Sequence, residues 1–144
     1  PALVGEGMTG VCANERVTKD TLEQICTITD SFGRTELVPE RLMDAVSAVS
    51  GSSPAYVFMF IEAMADAAVA QGIARKQAYS FAAQAVLGAA KLVLETGKHP
   101  GELKDMVCSP AGTTIEGVRA LERAGMRSAV YEALQACADK GKRL

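Results

Sequence analysis

The sequence predicts an all-α fold that follows a short strand–helix–strand segment. The 144-residue chain is rich in alanine and 49% hydrophobic but only 5% aromatic, which favours closely packed helices over a β-sandwich. Every start and stop signal after Pro39 is helical. Two of the resulting helices are apolar on all faces, a pattern typical of helices that are covered on all sides.

The N-terminal segment has the pattern of a strand, a helix and a second strand. An apolar run over residues 8–13 predicts the first strand, and Thr18 is suited to cap a helix that Gly33 stops. Alternation of polar and apolar residues over 34–38 predicts the second strand. Because two strands and one helix do not form a stable sheet alone, this segment looks like the end of a larger domain.

From Pro39 onward the signals predict helices separated by short turns. The run Ser50–Ser53 is interpreted as a break between the first two helices, and Gly72, Gly97 and Gly125 mark later ends. The predicted helices cover residues 40–49, 54–71, 75–96, 100–106, 113–123 and 126–140.

The second and third of these helices predict self-association. A bundle of this size has too little mass to surround two helices that are apolar on every face, so we expect a partner chain in an obligate, intertwined dimer. A membrane span is the competing interpretation. It is rejected because spans need about 20 apolar residues and because Glu62 and Asp66 fall in the middle of the run.

Charge and cysteine usage exclude several function classes. The net charge is −2 and no Lys/Arg cluster is present, so neither a nucleic-acid surface nor an anionic-membrane surface is indicated. Four cysteines lie far apart and there is one histidine, so zinc-ligand spacing is absent and no metal site is predicted. We expect reduced thiols and a cytoplasmic protein.

Several residues resemble functional motifs without the context that such motifs need. Residues 5–10 match the GxGxxG dinucleotide fingerprint, but only four residues precede Gly5 and the following residues look like strand or loop. We interpret the match as chance. Glu62 and Asp66 are interpreted as a polar seam against another helix or a subunit boundary, and His99 as a helix cap or structural residue.

The segment from Cys108 to Glu116 is the most informative. The Ser109–Pro110 pair forces an extended approach, and a helix begins at Thr113, so the backbone N–H groups of Gly112, Thr113 and Thr114 are predicted to be free. Such a helix N-terminus suits a carboxylate or a phosphate. The alternative is a capping box from Thr113 to Glu116, which local sequence alone favours.

Five motifs taken together resemble those of pyrroline-5-carboxylate reductases, in order and spacing, over the whole chain. They are SGSSPAYVF at 50–58, EAMADA at 62–67, HPGELKD at 99–105, SPAGTTI at 109–115 and LERAGMR at 121–127. The resemblance implies that residues 1–38 are the C-terminal remnant of a Rossmann-type dinucleotide-binding domain. It implies that residues 39–144 form a helical dimerisation and substrate-binding domain whose long helices interlock between subunits.

The resemblance also implies a reaction and its residues. The family reduces the C=N bond of 1-pyrroline-5-carboxylate to L-proline, the last step of proline biosynthesis, with a hydride from NADPH or NADH. The substrate loop maps onto Ser109, Gly112, Thr113 and Thr114, whose backbone amides would hold the substrate carboxylate. Thr114 would be the catalytic hydroxyl, as proton donor or orienting group. Pro1 would lie on the cofactor side, and the partner would be a second copy in a homodimer or a higher oligomer.

This chain departs from the family pattern in several places. Ser53 and Ala111 stand where glycine is common, and Gly10 stands where alanine is usual. The family's phosphate loop is missing, so the cofactor would be bound mainly by an absent N-terminal domain and the chain is expected to be inactive alone, as a processed or fragmentary protein. Two alternatives remain open. One is a non-catalytic helical oligomerisation module, and the other is the helical second domain of a hydroxy-acid dehydrogenase with Lys91 or Lys104 as its lysine.

Overall fold

The computed structural model describes residues 1–143 and consists mainly of helices after a short strand–helix–strand segment. The elements are β1 (Gly7–Val11), α1 (Lys19–Asp30), β2 (Gly33–Leu37), α2 (Met43–Val46), α3 (Ser53–Ala70), α4 (Arg75–Thr96), α5 (Pro100–Val107), α6 (Thr113–Arg123) and α7 (Met126–Gly141). The predicted fold class is therefore confirmed, and helices α4 and α6 have the predicted bounds.

The chain divides into two compact units. The first contains Pro1–Tyr56 and the chain from Tyr131 onward, and the second contains Val57–Val130. This division follows packing within the chain and does not coincide with the predicted domain boundary between residues 38 and 39. That boundary stays a prediction.

The first unit contains a two-stranded parallel sheet whose strands are joined by α1. Gly7 lies opposite Gly33, and Val11 lies opposite Leu37. A Cβ at Gly33 would lie 2.0 Å from the carbonyl oxygen of Gly7, so only glycine allows the strands to approach here. The prediction that Gly33 stops helix α1 is wrong, because α1 already ends at Asp30 and Gly33 begins β2.

Helix α1 begins as its cap residue predicts. The Thr18 hydroxyl accepts a hydrogen bond from the Thr21 N–H at 3.2 Å and satisfies one of the unpaired donors of the first turn. At the other end, the hydroxyls of Thr29 and Thr35 lie 2.6 Å apart. This contact joins α1 to the strand that follows it.

The predicted break at Ser50–Ser53 is wrong. Ser47–Ser52 forms a π-helical turn, and the backbone stays helical from Glu40 to Ala70. Pro54 explains the wider turn, because its ring would clash with the carbonyl four residues earlier in a regular α-helix. The Ser50 hydroxyl donates a hydrogen bond to the carbonyl of Val46 at 2.9 Å. This serine therefore bonds to the preceding helical turn and does not end the helix.

This continuous helix carries an apolar surface that the chain leaves largely uncovered. Glu40–Ala70 has 31 residues and a mean hydropathy of 1.2 in its most apolar window, of which 6% is buried. By length and composition alone it could cross a membrane. The core helix of a soluble protein passes the same test, so this property does not decide between a membrane and a protein partner.

In the second unit, α3 and α4 pack through small residues. Ala65, Ala78 and Ala82 are buried, and partly buried apolar residues of α3 surround them. Large apolar side chains on the same helices point away from this seam. Phe81 is 64% exposed and Leu87 is 53% exposed. The unit therefore has an alanine-lined core, and large apolar side chains of α3 and α4 stay exposed.

Candidate functional site: the turn before helix α6

A tight turn joins α5 to α6 in the second unit. The carbonyl of Ser109 accepts a hydrogen bond from the Gly112 N–H at 3.0 Å. Pro110 occupies the second position of the turn, and Ala111 occupies the third with a φ of 56°. A closing hydrogen bond, proline second and a positive φ third are the features of a type II turn. The Ser-Pro-x-Gly pattern was a signal for this turn that sequence reasoning did not use.

Gly112 makes a close contact with Ser109 within this turn. A Cβ at this position would lie 2.2 Å from Oγ of Ser109 and 3.1 Å from the Ser109 carbonyl oxygen. The Ser109 side chain therefore lies directly against the Gly112 backbone. Gly112 is also the N-cap residue of α6, and it supplies no side-chain cap. The turn thus brings Ser109 to the first residues of the helix.

The free donors at this helix start are fewer than predicted. The prediction that the Gly112 N–H is free is wrong, because this group closes the turn. Within residues 1–143, the N–H groups of Thr113 and Thr114 have no backbone or side-chain acceptor. Both residues are exposed, and the positive end of the helix dipole adds to their attraction for an anion.

The capping box, which was the alternative interpretation, does not form. Thr113 is the first residue of α6 and not its N-cap. The carboxylate of Glu116 accepts hydrogen bonds from the Arg119 guanidinium at 3.0 and 3.1 Å, so it does not reach back to the start of the helix. The donors of the first turn are left for another group.

Charged side chains lie on the preceding helix close to the turn. Lys104 forms an ion pair with Asp105, which raises the pKa of the lysine. Partial burial and repulsion from Arg127 act in the opposite direction, so a second cation lies near Lys104. Arg127 itself pairs with Glu122 at 2.6 Å. The surroundings of the turn therefore contain cations, although each has a carboxylate partner.

His99 is a helix cap, as predicted. It is the N-cap residue of α5 and its side chain accepts a hydrogen bond from the Gly101 N–H. Asp66 forms an ion pair with Arg75, which agrees with a polar contact between α3 and α4. The proposed subunit-boundary role of Glu62 stays a prediction.

Pro1 belongs to the first unit, and the turn before α6 belongs to the second. Its carbonyl accepts hydrogen bonds from Val4 at 3.0 Å and Glu6 at 3.1 Å, so it closes a local turn. The glycine motif at 5–10 overlaps β1, which begins at Gly7, and no helix starts within it. The strand-then-helix context that this fingerprint needs is therefore not present at residues 5–10, and the interpretation of the motif as a chance match stays a prediction.

No group of three or more His, Cys, Asp or Glu side chains comes together as metal ligands in the part of the chain described here. The thiols of Cys12, Cys26, Cys108 and Cys137 are all free. The turn offers the free backbone N–H groups of Thr113 and Thr114 as hydrogen-bond donors, and Ser109, Thr113 and Thr114 each carry a hydroxyl group.

The chain is similar to curated proteins named pyrroline-5-carboxylate reductase. It is 60% identical to the Escherichia coli protein over 144 residues, which are 100% of this chain and 54% of that protein. It is 51% identical to the Methanosarcina acetivorans protein over 143 residues, which are 99% of this chain and 53% of that protein. The chain thus spans about half the length of the curated relatives it matches.

Solved structures show the same similarity. The structure of Plasmodium falciparum pyrroline carboxylate reductase with NADP bound matches with a TM-score of 0.92 and 34% identity, over 99% of this chain and 58% of that chain. The Streptococcus pyogenes 1-pyrroline-5-carboxylate reductase matches with a TM-score of 0.92 and 37% identity, over 99% of this chain and 55% of that chain. The family model described as "Pyrroline-5-carboxylate reductase dimerisation" matches residues 40–144. The chain therefore belongs to the pyrroline-5-carboxylate reductase dimerisation family.

Proposed function

We propose that this chain is the helical, subunit-joining part of a pyrroline-5-carboxylate reductase and that its turn before α6 holds the substrate carboxylate. The observation that carries the proposal is the pair of unpaired N–H groups of Thr113 and Thr114 at a helix N-terminus. Two backbone donors with a favourable dipole suit a carboxylate. The Ser109 hydroxyl, held against Gly112, adds a third donor beside them.

The position of the carboxylate decides where the reacting bond lies. In 1-pyrroline-5-carboxylate, the carbon that bears the carboxylate is bonded to the ring nitrogen. A carboxylate held by the Thr113 and Thr114 amides therefore brings the C=N bond close to the same turn. Thr114 carries a hydroxyl on the residue that binds the carboxylate, so it is the proposed proton donor to, or orienting group for, the ring nitrogen.

The reaction divides between this chain and the cofactor. A reduced nicotinamide, NADPH or NADH, supplies the hydride to the carbon of the C=N bond when it is bound. The ring nitrogen takes a proton, and the product is L-proline. Residues of this chain bind and orient the imine, which is a positioning role. Cofactor binding is proposed mainly for the N-terminal dinucleotide-binding domain that the family resemblance implies, with Pro1 as the proposed contact within this chain.

The exposed apolar surface supports self-association as part of this proposal. Phe58 is 65% exposed and Leu94 is 60% exposed on helices that the family description links with dimerisation. Covering such side chains contributes about 25 cal/mol for each Å² removed from water. We propose a homodimer, or a higher oligomer built from it, in the cytoplasm and without a membrane or nucleic-acid partner.

A chimera tests the proposal. This chain is joined to the part of the Escherichia coli relative that lies outside the match, and the purified protein receives 1-pyrroline-5-carboxylate with NADPH or NADH. The expected result is oxidation of the nicotinamide with formation of L-proline. The chain alone and the added part alone are the controls, and both should be inactive.

The same experiment separates the alternatives. A folded, dimeric chimera that makes no proline but oxidises hydroxy acids would indicate a hydroxy-acid dehydrogenase. Inactivity towards both substrates would indicate a non-catalytic oligomerisation module. The dehydrogenase alternative has little local support, because Lys91 pairs with Glu95 at 3.4 Å and Lys104 pairs with Asp105.

A further inference from the structure

We infer that Ala111 is a positioning residue that sets how often the turn before α6 takes the form that binds the substrate carboxylate. The inference rests on the proposed function. Among residues 1–143, Ala111 is the one non-glycine residue with a positive φ, 56°. The other positive values belong to Gly5, Gly72, Gly97 and Gly125.

The left-handed region is costly for alanine because its Cβ approaches the following carbonyl oxygen. This lowers the population of the conformation about 5- to 30-fold relative to the right-handed region. Glycine has no such cost. Nothing in Ala111 itself favours φ 56°, so the rest of the turn has to hold this residue there.

The turn has an alternative form that relieves this cost. Rotation of the peptide between Pro110 and Ala111 converts a type II turn into a type I turn, in which the third residue has a negative φ. The bond from the Gly112 N–H to the Ser109 carbonyl is compatible with both forms. Ala111 is exposed, so no packed side chain prevents the rotation.

The two forms differ in what they present to an anion. In the rotation, the Pro110 carbonyl oxygen moves to the side of the turn on which the Ala111 N–H was, and the Ala111 N–H moves to the opposite side. An N–H beside the free donors of Thr113 and Thr114 attracts a carboxylate, whereas a carbonyl oxygen there repels it. The type II form is the one in the structure, and we assign binding to it. The apparent dissociation constant is then the intrinsic value divided by the fraction of turns in this form.

Substitutions at position 111 in the chimera test the inference. Ala111→Gly should lower KM for 1-pyrroline-5-carboxylate about three- to tenfold, because it raises the fraction of type II turns. Ala111→Val should raise KM by a similar factor, because a β-branched residue tolerates a positive φ less well than alanine. The value of kcat should stay within about twofold in both variants, since the bound imine meets the same groups. The dissociation constant of L-proline, measured by calorimetry, should follow KM.

Ala124→Gly is the matched control. Ala124 is exposed at the opposite end of α6 with a φ of −77°, so glycine relieves no strain there. KM should not change in this variant. A higher melting temperature for Ala111→Gly with unchanged KM overturns the inference, because the strain would then affect folding alone.

A measurement on the 144-residue chain needs no catalysis. In a type II turn, the amide proton at position 111 lies close to Hα of Pro110 and gives a strong nuclear Overhauser effect, which is weaker in type I. This effect should strengthen in Ala111→Gly and weaken in Ala111→Val, and equal intensity in all three proteins overturns the inference. If the unsubstituted chimera makes no proline, the proposed function is wrong. If the chimera makes proline but KM is the same in the position-111 variants, only this inference is wrong.

Discussion

Nδ1 of His99 accepts a hydrogen bond from the backbone N–H of Gly101 at 3.0 Å. This contact satisfies one of the free donors at the start of α5, and Pro100 removes another because it has no N–H. The ring acts as an acceptor here, as an Asn or Asp side chain does at most helix starts. The placement of α5, and of the turn that follows it, therefore depends in part on this imidazole.

Removing the cap should destabilise the second unit. His99→Ala should lower the free energy of unfolding by about 1 kcal/mol, the usual cost of losing a side-chain cap. His99→Asn keeps an acceptor at the N-cap and should recover most of this loss. Urea denaturation of the three proteins measures the difference. Equal loss in the alanine and asparagine variants would show that His99 contributes by packing and not by capping.

Thr114→Ala in the chimera tests the proposed catalytic hydroxyl. We expect kcat to fall about 10- to 100-fold, since the ring nitrogen loses a proton donor or an orienting group. The circular dichroism spectrum and the dimer mass should not change, because Thr114 is exposed and makes no side-chain hydrogen bond within residues 1–143. Thr114→Ser is the matched control and should keep most of the activity. Unchanged kcat in the alanine variant would remove Thr114 from the mechanism.

Leu87→Glu tests self-association. Leu87 is 53% exposed on α4, and a charge at this position would be buried against a partner subunit. The mass of the purified chain by light scattering should be near twice 15.1 kDa, and the substitution should dissociate or unfold this dimer. Leu87→Met keeps an apolar side chain of similar volume and should leave the dimer intact. A monomeric unsubstituted chain would contradict the proposed interlocked helices.

The carboxyl group of Asp139 has a lowered pKa in the folded first unit. A hydrogen bond from Gln135, and then one from Lys142 at 3.2 Å, lower the pKa of this carboxyl below its usual range. A carboxyl whose pKa is lowered by folding stabilises the folded state above its unfolded pKa of about 3.9. This contribution is lost as the pH falls through the lower, folded value.

The prediction compares Asp139→Asn with the unsubstituted chain over a range of pH. The urea midpoint of the variant should be lower at about pH 6, and the difference should disappear as the pH falls below about 3.9. High salt should reduce the difference, since Asp139 and Lys142 are both about half exposed. Gln135→Ala should reproduce part of the effect. A difference that grows in acid would contradict the lowered pKa.

Helix bounds were predictable where a local signal decides them. Helix α4 ends at Thr96 because Gly97 takes a left-handed φ of 63°, which glycine adopts without cost. Helix α1 begins after Thr18 because its hydroxyl binds an N–H three residues later. Each of these signals involves groups within one turn of the chain, so it is visible in the sequence.

Predictions of helix ends are wrong where a residue is needed for a contact with another part of the fold. The local sequence around Gly33 favours a helix stop, but this residue is glycine because the Gly7 backbone lies against it in the neighbouring strand. The local sequence of Ser50–Ser53 favours a break, but the helix continues through a wider turn that accommodates Pro54. Glycine and serine often end helices, and their spacing alone does not reveal such contacts.

The candidate site shows the same division. The helix start at Thr113 was predictable from residues 109–114, and the structure places it at that residue. Anion binding at this turn stays a proposal. The folded turn decides which N–H groups are free. In this turn the Ser109 carbonyl accepts a hydrogen bond from the Gly112 N–H, and Ala111 has a positive φ. Several acceptors can bind the same N–H group, and the folded geometry of the turn decides which of them does. Helix propensity, in contrast, depends on the residue itself.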